Sequence, residues 1–123
     1  MERDLVRHGD LLFRLVAPPL ASKLSPGDAK LTRKAGKVIE RGEVTGHAHR
    51  ITAGDAVILE RYEKAWSGGA NVPILLDRYL HVQATATVSH EEHGPVTLMP
   101  GLWAIMQARE FDYAANLGRR VRD

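Results

Sequence analysis

The chain has 123 residues, no cysteine, six histidines and a formal net charge of +2. That length fits one domain with a core of its own, so size does not demand a structural metal. The missing cysteine excludes disulfide scaffolds, thiolate zinc sites, iron–sulfur clusters and a cysteine nucleophile, and leaves any metal to nitrogen and oxygen donors.

The apolar run Leu11-Leu12-Phe13 is cut by Arg14 and then by Pro18-Pro19. It is too short for a signal-peptide core or a membrane span, so a cytoplasmic protein with no membrane partner is expected. His8-Gly9-Asp10 leads into a first strand over 11–16, and the proline-containing stretch 17–28 reads as a long loop. Residues 37–40 form a short strand, after which Gly42 permits a bend. Residues 45–52 follow as a strand with His47, His49 and Ile51 on one parity. The turn signal Ala53-Gly54-Asp55 and the apolar run 56–60 predict a hairpin with the histidines on its first arm.

Residues 65–73 read as a loop, suited to a lid. Residues 78–89 are the clearest strand material: Leu80, Val82, Ala84, Ala86 and Val88 alternate with Tyr79, His81, Gln83, Thr85 and Thr87. His90 to Gly94 turns the chain, 95–99 makes another strand, and Pro100-Gly101 a second turn. Residues 103–109 and 111–117 have some helical propensity, but 97–103 reads as strand, turn, strand. The expected fold is all-β, a small single-domain barrel or sandwich of short antiparallel strands over 1–123, with 112–123 a loose basic tail.

The histidines carry the functional signal. Four fall into two pairs, His47-Ala48-His49 and His90-Glu91-Glu92-His93. Two imidazoles two residues apart on a strand share a face and present two donors to one ion. If the two pairs meet, His47, His49, His90 and His93 are candidate ligands for a divalent transition metal: zinc, iron, manganese or nickel. Glu92 and His93 are then candidate acid–base groups for metal-assisted hydrolysis or another small-molecule reaction, and at least one of Glu91 and Glu92 should face solvent. His8 and Asp10 form a further candidate only if their end of the fold carries the other histidines; otherwise they are a turn with an Asp cap. Two imidazoles working as acid and base without metal are an alternative. His81, on the polar face of its strand, has no assigned role.

Two other readings stay open. One is a non-enzymatic assembly or phage accessory module, a homo-oligomer or subunit in which Trp66, Trp103 and a basic loop mediate contacts. The other is a nucleic-acid-binding or processing protein that meets phosphates through the basic stretch 23–41 and through Arg119, Arg120 and Arg122. No aromatic interleaving supports base stacking there.

The His-x-His pair, the later histidines and the Pro100-Gly101 turn resemble the cupin family, over roughly residues 37–108. Cupins are small β-barrels whose first motif supplies His-x-His and a glutamate and whose second supplies another histidine. The resemblance implies a barrel binding iron, manganese, zinc or nickel. Gly42 precedes His47-Ala48-His49 at nearly the family's distance, but Ala53 and Gly54 stand where the glutamate belongs. His90 and His93 precede the second turn, where the family's histidine follows it. The phrases Gly-Glu-Val-Thr-Gly-His-Ala-His and His-Glu-Glu-His-Gly-Pro-Val-Thr-Leu are also similar to those of small uncharacterised bacterial proteins.

Overall fold

Short apolar runs separated by Gly, Pro and Asp favour strands over helices, and the backbone is strand through most of its described length. A computed structural model describes residues 4–16, 31–42 and 46–107. Within them lie β1 (Leu5–His8), β2 (Leu11–Leu15), β3 (Leu31–Lys34), β4 (Val38–Arg41) and β5 (Ala48–Ala53). These are followed by β6 (Ala56–Ser67), β7 (Ala70–Val82), β8 (Ala86–Ser89), β9 (Val96–Leu98) and β10 (Gly101–Gln107). No helix occurs among the described residues, and so none long and apolar enough to cross a membrane.

The strands form two antiparallel sheets, one in the order β1-β2-β10-β7-β6-β3 and one in the order β4-β5-β8-β9. Neither closes on itself among the described residues, so the fold takes the sandwich form of the two that were expected. Leu11, Phe13, Ile58, Leu80, Val82, Trp103 and Ile105 from the large sheet pack with Ile39, Ile51, Ala86, Val88 and Leu98 from the small one in a single core. Arg78 ties the sheets at one edge, donating from Nη1 to the Ile39 carbonyl (3.0 Å) and from Nη2 to Glu40 (2.9 Å).

Several expectations need correction. The turn at Ala53-Gly54-Asp55 does not make a hairpin: β5 pairs with β4 and β8, whereas β6 pairs with β3 and β7. The turn carries the chain from one sheet to the other. The strand read over 78–89 likewise breaks at 83–85, where β7 in the large sheet gives way to β8 in the small one. Its alternation survives the break because Leu80, Val82, Ala86 and Val88 all face the same core.

Residues 65–73 are not a loop. They are the tip of a long β6–β7 hairpin, turned at Gly68-Gly69 where both φ angles are positive (59° and 85°). Val72, Ile74, Leu75 and Leu76 are exposed on it, with Trp66 73% exposed, so low burial hid the strand pattern. Residues 103–107 are strand, and Trp103 is a core residue (1% exposed), not a contact residue; its Nε1 donates to the Met99 carbonyl (2.9 Å). The loop read over 17–28, the tail over 112–123 and the weak helical stretch 111–117 lie outside the described residues.

The two sheet crossings pack against each other. The Asp55 carbonyl accepts from the Gln83 N–H (2.9 Å). Gly54 has φ +88°, and a Cβ there would stand 2.0 Å from the Thr85 carbonyl oxygen. Gly54→Ala is therefore expected to cost at least about 3 kcal/mol or to prevent folding, through left-handed strain plus a backbone clash. Gly36→Ala, at φ +89° but with open space around it, should cost only about 1 kcal/mol. Urea denaturation of the two variants checks this, and equal losses would show that the corner is not tightly packed.

Candidate functional site: a five-histidine pocket

Three separate segments bring imidazoles to one end of the sandwich. His8 closes β1 at the β1–β2 turn, His49 lies on β5 with His47 just ahead of it, and His90 and His93 sit in the connection from β8 to β9. Local backbone chemistry sets each of them. The Gly42 N–H donates to the His47 carbonyl (2.8 Å), and Gly46 takes a left-handed φ of 86° to turn the chain into β5. Gly9, at φ +58°, lies so close to His93 that a Cβ would meet its Cδ2 and Nε2 at 2.5 Å.

The rings are close neighbours. Ring centroids are 4.8 Å apart for His8 and His49, 4.6 Å for His49 and His90, 4.7 Å for His90 and His93, and 5.6 Å for His47 and His90. His90 is the hub, with His8 a further 6.4 Å neighbour. His47, His49, His90, Glu92 and His93 line one pocket of about 350 Å³ together with Asp10, Glu40, Arg41 and Gly42. Every candidate site residue read from the sequence thus reaches the same place.

His8 and His49 are the buried polar side chains among the described residues, at 2% and 4% exposure. Their Nδ1 atoms lie 2.9 Å apart, and His8 Nε2 lies 2.9 Å from the Gly94 carbonyl oxygen. Burial, then the neighbouring His8 ring, pushes His49 down to about 4, and burial also lowers His8. Both rings are neutral at pH 7. A neutral imidazole keeps a lone pair for a metal or a proton, which a charged one does not.

The two glutamates divide as expected. Glu91 is structural: its carboxylate accepts from the Ala48 N–H (2.7 Å) and from Arg50, and the first of these bonds holds it down at about 2. Glu92 faces solvent (64% exposed), with Oε1 3.7 Å from His47 Nδ1. His90 Nδ1 accepts from the Glu92 N–H (3.0 Å). His47, His90 and Glu91 offer donor atoms within 4.8 Å of one another.

His8 is the residue that the pairing argument undervalued. Its signal was the His-Gly-Asp turn, whose importance depended on the other histidines reaching that end. The sixth histidine, His81, is elsewhere: its neighbours Leu80 and Val82 face the core, so its ring lies on the other side of the large sheet. Of the basic stretch, Arg33, Lys34, Lys37 and Arg41 are described, with Arg41 at the pocket. Residues 23–30 and Arg119, Arg120 and Arg122 lie outside the described residues.

A family model described as a domain of unknown function, DUF8820, matches residues 7–108. The chain belongs to the DUF8820 family. The matched span of this DUF8820 domain begins one residue before His8 and encloses the whole cluster. Searches of curated proteins and of solved structures found no match to the chain.

The depressed His49 gives a pH dependence with a definite sign. Below pH 6.5 the unfolded chain binds a proton that folded His49 refuses until about pH 4. Stability should therefore fall as pH drops through that window, by on the order of 3 kcal/mol, and then stop falling on this account. Glu91 acts lower, its contribution being lost between 4.5 and about 2. Urea denaturation at stepped pH with chelator present measures this, and His49→Gln should flatten the upper window.

Proposed function

We propose that the pocket binds a divalent transition metal (zinc, iron, manganese or nickel), with His47, His49, His90 and His93 as the candidate ligands. The observation that carries the reading is the convergence of five of the six histidines from three segments, at centroid distances of 4.6 to 6.4 Å. His8 and His49, the two buried members, are kept neutral by burial and by the rings around them. Neutral rings are the form a borderline metal needs, and the absence of cysteine suits a nitrogen–oxygen donor set.

The chemistry that follows is metal-assisted hydrolysis or another small-molecule transformation. A bound ion with an open position would lower the pKa of a water. Glu92, exposed at the pocket, would take a proton, and His93 would be the second acid–base group where it does not itself ligate the ion. Glu91 serves otherwise, joining the β8–β9 connection to β5.

Metal content by elemental analysis of untagged protein tests the reading. The wild type is expected to carry near-stoichiometric metal, as purified or after incubation with zinc, manganese and iron. The His90→Ala/His93→Ala variant should carry little while keeping its circular dichroism spectrum. Absence of metal in the wild type after incubation ends the reading.

A second reading, assembly with further copies of this chain, is favoured by the β6–β7 hairpin. Asn71 to Leu76 are all exposed, so apolar side chains are left on both faces of a two-stranded ribbon, which is barely stable alone in water. Sedimentation velocity should show a concentration-dependent oligomer that Trp66→Ser/Leu76→Ser converts to monomer. A monomeric wild type at all concentrations removes this reading.

A further inference from the structure

The two hydrogen bonds of His8 determine where its proton sits. A carbonyl oxygen only accepts, so the 2.9 Å contact with Gly94 requires the proton on His8 Nε2. In the neutral ring Nδ1 is then a lone pair. His49 Nδ1, 2.9 Å away, must donate to it, which leaves a bare lone pair on His49 Nε2. The contact to His8 is made by Nδ1, so Nε2 is the nitrogen of His49 left uncommitted, on a residue that lines the pocket.

The competing arrangement makes His8 an imidazolium that donates from both nitrogens. It would set a full charge at 2% exposure, where the ring nitrogens meet only Gly94 and His49 among the described residues. Neither of those partners is a carboxylate, so the desolvation of a full charge at this depth would go uncompensated.

We propose that His8 is a positioning residue: the chain Gly94 carbonyl, His8, His49 locks His49 as its Nδ1–H tautomer and makes Nε2 the atom offered to the metal. This rests on the metal reading above and adds to it the donor atom and the residue that selects it. The same turn sets a second ring, because Gly9 lies in van der Waals contact with His93 and only a residue without Cβ leaves that ring its place. One turn, His8-Gly9-Asp10, thus engages one candidate ligand by a hydrogen bond and leaves room for another. A ligand histidine whose other nitrogen is engaged in this way binds in one orientation, which is what outer partners contribute at metal sites.

The first test needs neither metal nor mutation. Long-range 15N correlation NMR of histidine-labelled protein in chelator at neutral pH separates protonated from bare ring nitrogens. The expected pattern is protonated Nδ1 and bare Nε2 for His49, and the reverse for His8. A protonated Nε2 on His49, or a doubly protonated His8, overturns the relay and leaves the metal reading standing.

The second test titrates Co2+ into the wild type, His8→Asn and His8→Phe, following the visible bands. His8→Asn keeps an acceptor near the place of Nδ1 and should bind within a few-fold of wild type. His8→Phe keeps the ring and loses the acceptor, and should bind roughly 10–100-fold more weakly with altered bands. Wild-type affinity in His8→Phe overturns the positioning role. A wild type that binds no Co2+ overturns the metal reading and the donor role with it, while the tautomer pattern still decides the relay.

Discussion

The approach of the Gly54 backbone to the Thr85 carbonyl is the constraint on which the rest of the sandwich depends. The chain crosses from the small sheet to the large one between β5 and β6, and back between β7 and β8. The two crossings share one corner, and it closes only because residue 54 has no side chain. That corner sets β5 beside β8 with Ile51 opposite Val88. At their far ends these strands deliver His49 and His90. The site is therefore positioned by a contact at the opposite end of the same two strands, with rigid sheet between.

At the histidine end the sheets are joined differently. His8 leaves the large sheet and reaches Gly94 and His49 of the small one, the buried polar bridge of an otherwise apolar interior. Two buried neutral rings with satisfied hydrogen bonds cost little, whereas a single unpaired one would cost a few kcal/mol. The pair is consistent with a core that must end where a polar pocket begins. Glu91 adds a second tie, holding the β8–β9 connection to Ala48 and Arg50.

Much of this was legible in the sequence. Alternation marked β2, β5, β7 and β8, and the spacing of His47, His49, His90 and His93 marked the pocket. What alternation cannot express is which sheet a strand joins. Leu80 to Val88 kept one parity across a corner because both sheets face one core, so the break at 83–85 was silent. The hairpin tip was hidden for the opposite reason: with both faces exposed, no parity develops between Asn71 and Leu76. His8 stood alone in sequence, and only the pairing of β1 with β2 and the reach to Gly94 gave it partners.

The order in which these parts can form follows from the lengths of chain they close. β6 and β7 zip from a two-residue turn and pair continuously but for one bulge beside the Arg61–Asp77 pair. Such local pairing carries little closure entropy and suits an early nucleus. The bond between His8 and His49 spans 41 residues, and that between His8 and Gly94 spans 86. These contacts can form only after the sheets have met, so the pocket is a late event in folding. Whatever binds a late-formed site acts on the unfolding barrier: it lengthens the lifetime of the folded state and leaves the folding rate nearly unchanged.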